Sequence, residues 1–290
     1  MKINWRNITQ FLGFTVLRMA AIFVILVLAF IIYDIASNGA KVISWEFITQ
    51  KPTKGMTAGG IWPAIVGTFW VSLVTIFFAV PMGMFTAIYL NEYATQGKII
   101  RIIRLAIRNL SGVPSIVYGL FGFALFVLMM NLGLSVLSAG LTLGLLTLPW
   151  TITASEEALK TVPMSYREGA LALGATKWQT IRTNVLPYAI PGMLTGTILG
   201  LARAAGETAP ILFTGAAFFW PVLPSFPKVL ISQFMALPYH LFIMSTQHHE
   251  IAKVRPIAYG TALVLIVLIL TMNILAILIR YRFRRKYKRA

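Results

Sequence analysis

The sequence contains no cysteine, so neither a disulfide framework nor a thiolate-bound metal can organise the fold. Charge is scarce as well: 11% of the residues are Asp, Glu, Lys or Arg, against roughly a quarter in an ordinary soluble domain. Acidic residues are the scarcest part of it, 8 among 290. The three histidines, His240, His248 and His249, have only Glu250 as a nearby carboxylate. That favours a surface-loop or interface role, and no metal is expected. Also missing are the Gly-x-x-x-x-Gly-Lys-Ser/Thr loop that cradles nucleotide phosphates and any nucleophile set beside a base. No cofactor is expected, and ATP chemistry must come from another polypeptide.

What the chain has in quantity is apolar surface, 58% hydrophobic residues and a mean hydropathy of +0.80, which points to a bilayer as solvent. The 25 Lys and Arg could suggest a nucleic-acid partner. A nucleic-acid binder, however, displays its charge on a polar chain, whereas here the basic residues sit between apolar runs. A helix needs about 20 apolar residues to cross the hydrocarbon, and six such helices are expected. The first lies between Arg18 and Asp34, with Arg18 snorkelling to the headgroups. The second runs from about Gly60 to Leu90. Residues 109–155 are uncharged and hold spans three and four, divided by the turn signal Asn131-Leu132-Gly133. Span five runs from about Pro187 to Pro210, and span six lies between Arg255 and Arg280.

With the N-terminus inside, 18 of the 25 basic residues fall on the inner side, in the N-terminal segment, 98–108, 160–182 and from Arg280 onward. Six fall outside: Lys41, Lys51, Lys54, Lys228, Lys253 and Arg255. The positive-inside rule then predicts both termini in the cytoplasm, with the basic tail on anionic lipid. Lys2 and Arg6 ahead of an apolar stretch, with small residues between Ala36 and Ala40, also fit a cleaved signal peptide. Between spans five and six, Pro221, Pro224, Pro227 and Pro238 rule out a long helix and predict short ones on the outer face or in a pore mouth.

The loop after span four is unusually structured for its length. Pro163 opens a short amphipathic helix, Glu168 lies in its early turns, and Gly174-Ala175 permit a bend. A second segment carries Lys177, Trp178 and Arg182, and Leu186-Pro187 starts the next span. Glu168, Ala170, Gly174 and Leu186-Pro187 resemble the Glu-Ala-Ala, three residues, Gly, later Leu-Pro motif of ABC importer permeases. Gly169 departs from that pattern, where the family has Ala, at a helix-propensity cost of about 1 kcal/mol. The resemblance implies that Glu168, Gly169, Ala170, Gly174, Leu186 and Pro187 belong to a coupling helix that docks into a cytoplasmic ATPase.

Two further segments, Ser111 to Gly122 and Gly200 to Pro210, are similar to signatures of the phosphate-specific permeases of the PstA family, over most of the chain from about Gly60 to Arg280. That likeness implies an all-α type I importer fold that translocates inorganic phosphate across the bacterial inner membrane. It also implies two related permeases, two ATPases and an external phosphate-binding protein. The organisation expected is an N-terminal segment, first span and outer loop over 1–59, a permease core over 60–281 with its coupling loop at 159–186, and a basic tail over 282–290.

Span five carries two charges, Arg203 and Glu207. An ionisable residue in a span is costly, about 2.5 to 3.5 kcal/mol for a central Arg or Asp, so both are expected to face a cavity or a partner. They form either a structural ion pair or a phosphate-reading site in which Arg203 offers its planar donor fork. Ser115, behind the Gly112-Val113-Pro114 breaker, and Thr208 could add hydroxyls to the same pathway, or the breaker could be a packing kink. Other readings are a permease for molybdate or sulfate, a membrane enzyme acting on lipid headgroups, and a sensory subunit without a transport path.

Overall fold

The computed structural model describes residues 5–287 apart from Gln96 and Leu223, with side chains from residue 10 to residue 282. Lys2, Lys288 and Arg289 lie outside the described residues, as do the side chains of Arg6, Arg284, Arg285 and Lys286. Helix α1 runs Trp5–Gly39, α2 Trp45–Thr49, and α3 Trp62–Ile88 with a π-helical turn at Tyr89–Tyr93. Then come α4 at Lys98–Leu110, α5 at Ser115–Gly122 with a π-helical extension Phe123–Met129, and α6 at Val136–Lys160. Next are α7 at Met164–Ala172, α8 at Lys177–Thr180 with a π-helical turn Ile181–Val185, and α9 at Leu186–Gly206. The chain closes with α10 at Ala209–Thr214, α11 at Leu237–Thr246 and α12 at Ile251–Tyr287. A small antiparallel hairpin pairs β1, Pro52–Thr53, with β2, Ala58–Gly59.

Five helices are long and apolar enough to cross, α1, α3, α6, α9 with its α8 lead-in, and α12; α4 and α5, bent by 104°, make a sixth where the pair counts as one broken span. Proline explains where two of the crossings break. The ring at position i removes the N–H that would bond the carbonyl at i−4 and clashes with it. Pro114 does this to Leu110, where α4 ends, and Pro210 does it to Gly206, where α9 ends. Span five therefore stops short of the expected Pro210, and Glu207 has extended backbone (φ −73°, ψ 131°) as its cap. The charged stretch 98–108, expected only as an inner loop, is helical. Its arginines Arg101, Arg104 and Arg108 share one face, while Ile99, Ile102, Ile103 and Leu110 occupy the other and are exposed, the pattern of an amphipathic helix.

The centre of the bundle is α6, 67% of whose most apolar stretch is buried, whereas the corresponding stretches of α1 and α12 have no buried residue and turn toward lipid. Helix association in a bilayer has no water to expel, so it depends on close packing through small residues. Here Gly83 of α3 abuts Thr151, Gly140 and Gly144 of α6 abut Val74 and Phe78, and Gly192 and Gly196 of α9 abut Ala158 and Ala154. A side chain at any of these glycines would collide with its neighbour. Several threonines inside the spans satisfy their hydroxyls on the preceding turn, as Thr68, Thr142 and Thr197 do, whereas among the described residues the buried hydroxyls of Ser72 and Ser155 have no partner.

The chain alternates between two ends. At one are the starts of α1 and α4, the ends of α3, α6 and α12, and the segment 161–185. At the other are the hairpin, the turn 130–135 and the proline-rich stretch 215–236. As expected, that stretch forms no long helix: Phe218, Phe219, Trp220, Val222 and Phe226 are exposed, while Phe234, Met235 and Ala236 are buried and lead into α11 within the bundle. The Leu237 amide donates to Thr68 Oγ1 at 2.8 Å, and Leu237, Ile243 and Met244 are fully buried. Of the three histidines, expected in a surface loop or at an interface, His249 is exposed in the turn before α12, whereas His240 and His248 are buried. His248 Nε2 lies 2.8 Å from the Gly55 carbonyl and its Nδ1 accepts the Glu250 amide, which ties the hairpin to the start of α12.

Candidate functional site: the structured knob and the membrane ion pair

The knob is built by successive stop and start signals. Pro163 precedes α7, and α7 ends on Gly174, whose φ of +83° an L side chain rarely adopts. The Ala175 amide bonds the Ala170 carbonyl at 3.1 Å and the Gly174 amide bonds that of Leu171 at 3.0 Å. This is the Schellman arrangement, with glycine at C′. Two residues later Thr176 caps α8 with a capping box: its Oγ1 accepts the Gln179 amide while Gln179 Oε1 accepts the Thr176 amide. The stretch Leu173-Gly-Ala-Thr-Lys-Trp-Gln is thus one helix stop joined to one helix start, with no slack between them. Leu186-Pro187 opens α9 with proline in its first turn.

Within α7 the motif residues divide by face. Glu168 and Gly169 are exposed, and a Cβ on Gly169 would meet nothing within 4 Å. Ala170 is buried against the bundle. A carboxylate is therefore presented outward on a short helix whose inner face is fixed. Arg167, immediately before it, points the other way and is held by Glu92, an ion pair that sequence reasoning missed. The partners are 75 residues apart, and nothing local in either segment signals the contact. Arg104 likewise pairs with Glu156 at 3.1 Å and donates to the Leu90 carbonyl at 2.7 Å.

The second group of expected residues lies where α9 breaks. Arg203 Nε and Glu207 Oε1 are 3.4 Å apart, with the Arg203 side chain 54% exposed and Glu207 18%. The guanidinium also lies over the Trp150 ring of α6, 5.6 Å from its centroid, a cation–π arrangement. Thr208 follows directly and precedes α10, and α5 packs on α10 where Gly119 meets Ala209 and Pro210. Ser115, one turn before Gly119, is half-buried at the start of α5. Among the described residues neither hydroxyl hydrogen-bonds to the ion pair, so the structure joins Arg203 with Glu207 and leaves Ser115 and Thr208 on neighbouring helices.

A bundle of membrane helices with an ordered knob between α6 and α9 has a recognised counterpart. A family model described as a binding-protein-dependent transport system inner membrane component matches residues 79–289. The chain belongs to that family. It is a membrane-spanning permease of the ABC importer type. The phosphate transport system permease protein PstA 1 of Mycobacterium tuberculosis is 38% identical over 229 residues, 79% of this chain and 73% of that protein. PstA of Yersinia pestis is 31% identical over 281 residues, 95% of this chain and 91% of that one. Among solved structures, a bacterial ABC transporter involved in the import of alginate aligns with a TM-score of 0.64 over 96% of this permease and 98% of that chain. At 14% identity this likeness speaks to the fold.

Proposed function

We propose that this permease carries inorganic phosphate inward across the bacterial inner membrane, with both termini in the cytoplasm. In this reading it does not hydrolyse ATP itself; two copies of a separate ATPase chain do. A homologous second permease completes the pathway and an external phosphate-binding protein delivers the substrate. The observation that carries the reading is the knob, an outward carboxylate, Glu168, on a helix whose other face and both ends are fixed. Glu168, Gly169, Ala170 and Gly174 form the docking helix, and Leu186-Pro187 sets where it joins α9. The sequence bias of 18 of the 25 basic residues toward the segments expected on the knob's side supports a cytoplasmic position for it. The names of the relatives support phosphate as the substrate.

In this reading Arg203, Glu207, Thr208 and Ser115 line the substrate path. A closed Arg203–Glu207 pair is neutral and attracts an anion weakly, so Glu207 must do more than balance charge. At neutral pH phosphate retains one or two protons while sulfate has none. An ionised carboxylate accepts a hydrogen bond from phosphate and repels sulfate. Arg203 then supplies the donor fork for the remaining oxygens. The test is purification of the tagged permease from membranes, identification of an ATPase chain in the complex, and ATP-dependent uptake of labelled phosphate and labelled sulfate by the reconstituted complex. Phosphate uptake without sulfate uptake is expected. Equal uptake of the two overturns the substrate, and absence of an ATPase overturns the importer.

A further inference from the structure

Arg167 stands back to back with Glu168. While the carboxylate faces outward, the guanidinium reaches across the end of the bundle and uses all of its nitrogens. Nη2 lies 2.7 Å from Glu92 Oε1 and Nε 3.1 Å from Oε2. Nη1 donates to the Val162 carbonyl at 2.8 Å and Nη2 to that of Leu159 at 3.1 Å. Glu92 sits in the π-helical turn that ends α3, and the two carbonyls belong to the end of α6 and the residues just beyond it. Both side chains are largely shielded, at 12% and 7% exposure. Besides this pair, α7 is held by the ring of Tyr166, 4.8 Å from that of Tyr188 in α9, and by Ala170, its only buried residue.

The same α3 turn is gripped from its other side. Arg104 of α4 bonds the Leu90 carbonyl and the Glu156 carboxylate of α6, so two arginines from two different helices each bridge α3 and α6. From there α6 continues to Trp150, which lies against Arg203. A displacement of α7 is therefore delivered through Arg167 to the ends of α3 and α6, and α6 carries it to the ion pair in the membrane.

We infer that Arg167 and Glu92 are positioning residues that form the joint by which movement of the docking helix is passed to the membrane helices. The inference rests on the docking reading of α7. A buried ion pair is a poor device for stability alone, because replacing both partners with neutral residues of similar size is often harmless, whereas removing one leaves a buried charge. What the pair supplies is a directional, four-bond connection between the exposed docking helix and two crossings. Neutral side chains can fill its volume but cannot transmit a pull.

The experiment uses the complete complex of this permease, its second permease and ATPase, with labelled phosphate and the loaded phosphate-binding protein as probes. The variants are Arg167→Lys, Glu92→Gln and the double Glu92→Gln/Arg167→Met, with Glu168→Lys as the control for docking. The expected result is that Arg167→Lys and the double variant retain the ATPase on purification. In the double variant uptake falls about tenfold or more, within the usual range of coupling between sites, and ATP hydrolysis no longer rises with loaded binding protein. A purely structural pair predicts the opposite, a double variant that recovers uptake, and that result overturns the joint. Loss of the ATPase from both the double variant and Arg167→Lys overturns it too. Normal uptake by Glu168→Lys instead brings down the docking reading, whatever the Arg167 variants do.

Discussion

The Glu207 carboxylate contacts Arg203 from a residue that is no longer helical, since α9 ends at Gly206 and Glu207 caps it in extended conformation. The four-residue spacing that predicts a pair on one helix face thus yields a pair across a helix end, with Trp150 beneath the guanidinium. Arg203 is the more exposed of the two, at 54% against 18%, which suits a residue that releases one partner to take another. Arg203→Ala should abolish phosphate uptake in a complex that still assembles. Glu207→Gln, whose amide can donate to sulfate, should lower the preference for phosphate over sulfate more than it lowers folding yield. Competition between labelled phosphate and sulfate reads this directly. Unchanged sulfate rejection in a folded Glu207→Gln complex makes the pair structural.

The knob predicts a sign difference between two exposed glycines. Gly174 has open space around it but a left-handed backbone, so Gly174→Val should cost about 1 to 2 kcal/mol of local stability and reduce uptake. Gly174→Asn, which tolerates that conformation, should retain most of it. Gly169 is helical with nothing within 4 Å of its position. Gly169→Ala should therefore strengthen α7 by up to about 1 kcal/mol and leave uptake intact. Uptake measured at matched expression decides both, and equal losses at the two positions would show that exposure rather than backbone conformation governs them.

How far the sequence alone reaches is visible in the same segments. The spans, the turn at 131–133, the breaker at Pro114 and the bend at Gly174 are local chemistry, and local chemistry is what one sequence displays; the end of α9 at Gly206 and the Thr176 capping box are equally local but were missed. The helical nature of 98–110 was also available, in the spacing of Arg101, Arg104 and Arg108, but charge counting alone treats that stretch as a loop. The ion pairs Arg167–Glu92 and Arg104–Glu156 were not available, because a contact between segments 75 or 52 residues apart depends on how helices cross. The buried histidines were hidden for the same reason: nothing near His240 or His248 in the chain reports that α11 turns back into the bundle.

Orientation is the next expected outcome. The bias of basic residues toward the knob end predicts that a reporter active only in the cytoplasm works when fused after Ala290 and fails when inserted near Ser225. The reverse pattern would place the knob outside and remove any route to an ATPase.

His240 makes the end opposite the knob sensitive to acid. Its ring is buried with Nδ1 lacking a partner, and burial, with the neighbouring His248 adding to it, lowers its pKa from 6.5 to about 4. Between those values the unfolded chain takes up a proton that the folded chain refuses, so stability falls as pH drops through that window, by up to about 1.4 kcal/mol per unit. Above the window the effect vanishes. Thermal melts of the purified permease from pH 7.5 down to pH 4.5 should show this slope, and His240→Gln should flatten it. The same slope in both proteins would mean that another group is responsible.

The glycine contacts among α3, α6 and α9 set what kind of machine this can be. Helices that touch backbone to side chain at Gly83, Gly140, Gly144, Gly192 and Gly196 have no lubricating layer between them, so they cannot slide past one another or part without opening voids that neither lipid nor water fills well. The three move as a single plank. Compliance is left to the places where the chain is already broken, the bend between α4 and α5 and the gap between α9 and α10, and those two breaks share a border at Gly119. On the docking reading of the knob, a stroke applied there tilts the plank and opens the seam, the motion that the proposed coupling requires.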